Sequence, residues 1–195
     1  AFTIAREPVA SVDLMERAAA GCTLWLAGNF RHGTSFLVFA GAGNNGGDGL
    51  AISRQLFNKG YRVTVCVPEM GLKHSKDFEA NFERLKGIPG IEILRPSRAE
   101  DLPVPGKETV VIDALFGSGL SRPLSGFAAQ VVNHINIHST YTVSIDIPSG
   151  LFGEDNGNNP GEAIIRARHT LSFQFPKLAF FFAENYAFTG EWHII

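Results

Sequence analysis

The sequence predicts an α/β domain built on a largely parallel sheet that is covered on both faces. Three observations predict it. Short apolar runs alternate with segments of helical spacing. Most of those runs are apolar throughout, as in strands buried on both sides. Three polar stretches, at residues 41–49, 113–123 and 146–150, each follow directly on such a run. Ligands of open parallel sheets bind there, beyond the carboxyl ends of the strands.

In chain order, Ser11 can cap a first helix with Asp13 in its first turn, a favourable charge at that end. Met15, Ala18, Ala19, Cys22 and Trp25 then recur at near-helical spacing. A strand at residues 34–40 enters Gly41-Ala42-Gly43-Asn44-Asn45-Gly46-Gly47-Asp48-Gly49. Leu50, Ile52, Leu56 and Phe57 continue as a helix that Gly60 can end. Residues 61–67 form a β-branched strand stopped by Pro68, and Phe78, Phe82 and Leu85 mark a helical stripe ended by Gly87 and Pro89. A short strand at 91–94 and a proline-bearing loop at 96–107 precede the strand 109–113, which ends on Asp113. Leu124, Ala128, Val131, Val132 and Ile135 mark another helix, and strand 141–146 ends on Asp146. After a polar loop at 150–161, strands at 170–175 and 192–195 close the sheet, with residues 178–182 packed between them.

No repeat, low-complexity tract or linker divides the 195 residues, which fit a single domain, 1–195, that is 45% hydrophobic. A domain of this size buries roughly 70% of the surface its unfolded chain exposes. The chain begins Ala1-Phe2 and stops inside a strand-like run, as expected of one domain cut from a longer chain. A net charge of −2 gives no electrostatic case for nucleic acid or an anionic membrane. The 16 phenylalanines lie in apolar runs without interleaved basic residues, so they read as core rather than as base-stacking platforms. Cys22 and Cys66 make neither a disulfide framework nor a zinc site; both read as buried hydrophobes, which favours a reducing compartment. The nearly uncharged run 18–28 is too short to span a bilayer and lacks the basic front of a secretory leader.

Five glycines in the 41–49 loop suggest close approach of an anionic ligand to the backbone; a plain strand-to-helix turn needs fewer. Gly41, Gly43 and Gly46 have dinucleotide-fingerprint spacing, but the next strand lacks the matching acidic end, and no P-loop lysine is present. Asp48 reads equally as a ligand contact or as a stabiliser of the helix N-terminus. In the second stretch, Asp113 is followed by Gly117, Ser118, Gly119, Leu120, Ser121, Arg122 and Pro123, where arginine and serine suit phosphate oxygens. In the third, Pro148 and Gly150 fix a turn that holds Asp146 and Ser149 at the sheet edge. An aspartate between isoleucines can be desolvated, which raises its pKa and fits general acid–base work; a structural aspartate in the turn is the alternative. His134 and His138 have metal-ligand spacing on a helix but no third partner, so they read as its solvated end.

Asn44-Asn45-Gly46-Gly47-Asp48-Gly49, Asp113-Ala114-Leu115-Phe116-Gly117 and Asp146-Ile147-Pro148-Ser149-Gly150 together resemble the NAD(P)H-hydrate epimerases, the YjeF N-terminal domain family. Residues 11–19 resemble its first helix, and the resemblance covers nearly the whole chain. It implies a Rossmann-like three-layer αβα sandwich. It also implies an isomerase of nicotinamide nucleotide repair, which interconverts the R and S forms of NADH and NADPH hydrated at C6. An S-specific, ADP- or ATP-dependent dehydratase, fused or separate, would then restore the coenzyme. Carried over by motif, substrate would meet Asn44, Asn45, Gly46, Gly47, Asp48, the 117–123 loop and Asp146. A potassium ion would take Asn45, Asp113 and Ser149. A cytoplasmic homodimer is implied as well, and a non-catalytic nucleotide-binding or protein-interaction module of the same fold is the rival reading.

The implied substrate carries a hydroxyl on C6 beside a ring nitrogen. Protonating that hydroxyl lets the nitrogen expel water, and water can re-enter the planar iminium from either face. Asp146 is the expected acid and base. Ring opening and reclosure is a second route to the same epimerisation.

Overall fold

Phe36, Val38 and Ala40 alternate with Leu37 and Phe39 along strand β1 (Ser35–Ala40), and both sets are buried. A strand with two apolar faces needs a helical layer on each side. The computed structural model describes residues 10–195 and supplies both layers. The sheet has seven strands: β1, β2 (Arg62–Cys66), β3 (Glu92–Leu94), β4 (Thr109–Ala114), β5 (Thr142–Ile145), β6 (His169–Ser172) and β7 (Glu191–Ile194). Their order is β3-β2-β1-β4-β5-β6-β7, and every pairing is parallel. The expected three-layer αβα sandwich is the observed one.

Helices α1 (Ser11–Asn29), α2 (Asn44–Asn58) and α3 (Lys76–Lys86) cover one face. Ala19, Cys22 and Leu26, Leu50, Ile52 and Leu56, and Phe78 and Leu85 join Phe36 and Val38 in one core. Helix α4 (Gly126–His138) covers the other, where Val131, Val132 and Ile135 meet Leu37, Phe39 and Val111. Both cysteines are buried and unpaired, as their patterns implied. No helix of the described residues is long and apolar enough to cross a membrane.

Three details differ from expectation. Ser11 is not a cap: it lies inside α1 after Ala10, and its hydroxyl donates to Asp77 Oδ2 at 2.5 Å, tying α1 to α3. Glu16 ties α1 to both neighbouring helices, accepting from Arg54 and, at 3.0 Å, from Gln55 on α2, and at 2.9 Å from Arg84 on α3. Burial would raise the Glu16 carboxyl, but its donors, Arg54 foremost, outweigh that and hold it below the usual carboxylate range.

Strand β6 ends at Ser172, short of residue 175, because the chain turns at Gln174 with φ 66°. Residues 178–182 are only half packed: Ala179 and Phe180 are buried, whereas Leu178, Phe181 and Phe182 face outward. A single helical turn, α5 (Tyr186–Thr189), then feeds β7. His134 sets its ring nitrogen 3.1 Å from Pro103 O and takes part in no candidate metal group among the described residues.

Candidate functional site

The carboxyl ends of β1, β4 and β5 meet at one edge of the sheet, and there the three polar stretches come together. Helix α2 is seated directly on backbone. A Cβ at Gly46 would stand 1.7 Å from Gly41 O, and one at Gly41 would stand 1.8 Å from Leu115 O. A Cβ at Gly43, by contrast, would meet nothing within 4 Å. Most of the loop's glycines therefore serve the fit of helix onto sheet, and only Gly43 opens towards a ligand.

Asp113, the last carboxylate of β4, is fully buried and accepts from four donors. They are Ser149 Oγ at 2.6 Å, Ser144 Oγ at 2.7 Å, Ser149 N at 2.9 Å and Leu115 N at 3.2 Å. Burial pushes its carboxyl up, against the pull of those bonds, with Ser149 first among them. Ser149 Oγ in turn accepts from Phe116 N at 2.9 Å, so Asp113 locks the turn after β5 to the turn after β4. Gly150 completes the lock with φ 97° and a Cβ position only 2.0 Å from Ala163 O, which excludes any side chain. Asn45 donates to Phe116 O at 3.0 Å, which leaves its buried Oδ1 without a hydrogen-bond partner. An orphaned oxygen beside a buried carboxylate, a hydroxyl and a carbonyl is an oxygen-only donor set of the kind a hard cation takes.

Asp146 occupies a strained turn. Its φ is 67°, and Ile147 N donates to Ile145 O at 2.9 Å across it, the rarer form of the three-residue turn. The turn swings the carboxylate over the sheet edge, where Oδ2 accepts from Ser118 N at 3.1 Å and Oδ1 lies 2.8 Å from Lys177 Nζ. Its setting is thus one of donors and a cation rather than the apolar pocket expected from its isoleucine neighbours. Asp48 is the desolvated carboxyl. It lies buried in the second turn of α2 with no hydrogen-bond or ion-pair partner among the described residues. Burial, then the charges of Asp146 and Asp77, push it well above the usual carboxylate range.

Asn45, Asp48, Ser118 and Asp146 line one cleft of about 610 Å³, together with Leu72, Lys73 and Phe173, while Asp113, Ser149 and Lys177 lie off its lining. A family model described as YjeF-related protein N-terminus matches residues 11–179. The chain belongs to that family.

Its relatives include an NAD(P)H-hydrate epimerase of Anaerococcus prevotii, 39% identical over 80% of this chain and 72% of the relative. Another epimerase, from Weissella koreensis, is 34% identical over 97% of this chain and 82% of its own. A bifunctional NAD(P)H-hydrate repair enzyme of Thermofilum pendens is 38% identical over 93% of this chain, which spans only 34% of that longer protein. A yeast protein of known crystal structure shares the fold, with a TM-score of 0.72 at 24% identity over 89% of this chain and 75% of its own.

Of the positions that the YjeF-type motifs mark, the cleft gathers Asn44, Asn45, Asp48, Gly117, Ser118, Gly119, Leu120 and Asp146 on its walls. Gly46 and Gly47 do not line it: Gly46 abuts Gly41, and a Cβ at Gly47 would stand 2.9 Å from Met15 Sδ. Ser121, Arg122 and Pro123 are exposed and lie off the lining. Lys177 is a site residue that sequence reasoning misses. Its only local signal is Pro176-Lys177 just past a strand end, which is indistinguishable from a surface lysine until the Gln174 turn folds it back.

Proposed function

We infer that this protein is an NAD(P)H-hydrate epimerase, an isomerase that interconverts the R and S forms of C6-hydrated NADH and NADPH. One observation carries the reading: Asn44, Asp48, the 117–120 turn and Asp146 face one cleft, in a chain 39% identical to a relative named for that activity. The exposed N-terminus of α2 suits the pyrophosphate, and Lys73 stands at the rim to meet it.

Two carboxyls with opposite environments divide the proton work. Asp48, held neutral by burial, gives its proton to the C6 hydroxyl, and the ring nitrogen expels water. Asp146, a carboxylate paired with Lys177, stabilises the iminium and takes the proton of the incoming water. One water leaves and one adds, and the proton returns from Asp146 to Asp48 through the water of the cleft. Asp146 thus shares work that the sequence alone assigns to it entirely.

We assign the cation expected for the family, potassium, to the orphaned Oδ1 of Asn45 with Ser149 and Asp113. Weak hydration lets potassium exchange water for such oxygens, and when bound it would offset the buried charge of Asp113 near the substrate's phosphates. The dehydratase that consumes the S epimer is the functional partner, a reading supported by relatives named as bifunctional NAD(P)H-hydrate repair enzymes. The outward side chains of Phe175, Leu178, Phe181 and Phe182 support a homodimer, and two buried free thiols accord with the cytoplasm.

The test supplies R-hydrate to an S-specific dehydratase with and without this protein, in potassium. Acceleration of coenzyme recovery is the expected result. Nucleotide binding without acceleration identifies a non-catalytic module instead.

A further inference from the structure

Strands β6 and β7 begin at the sheet edge opposite the cleft, and their register sets His169 beside Glu191 and Leu171 beside His193. Side chains two apart on a strand share a face. His169, Glu191 and His193 therefore project together towards helix α1, where the Trp25 ring centroid lies 5.1 Å from that of His169 and 4.9 Å from that of His193. His169 Nδ1 and His193 Nε2 are 3.1 Å apart, and the Glu191 carboxylate lies 3.8 Å from the first and 4.0 Å from the second.

We propose that His169, Glu191 and His193 form a binding site for a borderline divalent transition-metal ion, with Zn²⁺ as its reference occupant. Two nitrogens bonded to zinc at about 2.0–2.1 Å in a tetrahedron lie about 3.3 Å apart, so the imidazoles already stand near ligand spacing. One ligand atom from each of the three residues lies within 4.8 Å of the others, so Glu191 has a short way to close, and its side chain, 70% exposed, is free to do so. Burial of His169, reinforced by the neighbouring His193, pushes its pKa down and favours the neutral ring that binds metal. His169 Nε2 is 2.9 Å from the Tyr141 hydroxyl. With Nε2–H donating to that oxygen, the lone pair of Nδ1 faces the site, the outer-shell arrangement that fixes a ligating histidine. Two imidazoles and one carboxylate suit zinc, nickel or cobalt rather than potassium or magnesium, which prefer oxygen alone. His169 and Glu191 also line a hollow with Ser139 and Arg168, a source of water for the remaining coordination positions. Bound metal would clamp edge strand β7 to β6 and leave the epimerisation cleft untouched.

Calorimetric titration of the chain with ZnCl₂, and with MgCl₂ and KCl as controls, tests the site. One equivalent of zinc is expected, with a rise in melting temperature that grows with zinc concentration. Binding should be lost in His193→Gln and His169→Gln and weakened in the surface variant Glu191→Gln. Tyr141→Phe should bind about 10- to 100-fold more weakly. Each variant is checked for native circular dichroism, and metal-free epimerase activity should be unchanged in Glu191→Gln. Absence of saturable one-equivalent binding overturns the proposal, and so does equal zinc affinity in folded Glu191→Gln and Tyr141→Phe. In either case His169 and His193 are simply a hydrogen-bonded pair packed on Trp25.

Discussion

Lys177 Nζ lies 2.8 Å from Asp146 Oδ1, and the two side chains are only 18% and 14% exposed. The pair joins the strained turn after β5 to the segment that leaves β6, so charge and backbone geometry at the reacting edge depend on each other. Asparagine tolerates positive φ better than most residues. Asp146→Asn is therefore expected to fold normally, retain nucleotide binding and lose about 10²- to 10⁴-fold in turnover. Lys177→Met should reduce turnover in the same direction by leaving the carboxylate without its cation. The coupled dehydratase assay measures both, and wild-type turnover in Asp146→Asn removes this residue from the reaction.

Asp48 links catalysis to stability. Its carboxyl is raised in the folded protein by burial, then by Asp146 and Asp77. The native state thus holds this proton more tightly than the unfolded chain does. Its contribution to stability is complete below the unfolded carboxylate value of about 3.9 and is lost as pH rises through the raised folded value. Asp48→Asn removes that dependence. The variant should melt higher than the parent at neutral pH, by a margin that shrinks towards pH 4, while its turnover falls. Parallel melting curves across that range would contradict a neutral Asp48.

Potassium is expected to act through Asn45. Replacing it with choline should lower both melting temperature and turnover. An ion present at a hundred times its dissociation constant contributes about 2.7 kcal/mol. Asn45→Ala, which deletes the orphaned oxygen, should melt at the same temperature in either salt. A variant that still distinguishes the two salts places the ion elsewhere.

The glycine loop separates packing from binding. Gly46→Ala brings a methyl group within 1.7 Å of Gly41 O. It should destabilise by at least the 1–3 kcal/mol or so typical of overpacking. Gly43→Ala meets nothing within 4 Å. It should change stability by about 1 kcal/mol or less, the scale of a helix cap, and act on KM instead. Denaturant midpoints and steady-state kinetics distinguish the two variants.

Much of the architecture was legible because it rests on periodicity. The uniformly apolar runs around Val38, Ile112 and Ile145 mark strands buried on both faces, and Asp113 and Asp146 mark where β4 and β5 give way to the turns at the sheet edge. What was misread depends on distant parts of the chain. The reason for Gly46 is the carbonyl its Cβ would strike, and no local pattern encodes that distance. The isoleucines beside Asp146 suggested an apolar pocket, yet both turn into the core and leave the carboxylate to Lys177. Asp48 belongs to a polar stretch by sequence, yet it is buried beside the charges of Asp146 and Asp77, which come from distant parts of the chain.

Seating α2 on bare backbone has an evolutionary consequence. Gly41 and Gly46 leave no slack through which the helix could shift to suit a different nucleotide. The rim is freer to adapt, because Lys73, Ser118 and Gly119 are exposed there and can change without disturbing the floor. A preference between the two phosphorylation states of the coenzyme can be set there, leaving intact the floor that folding fixes.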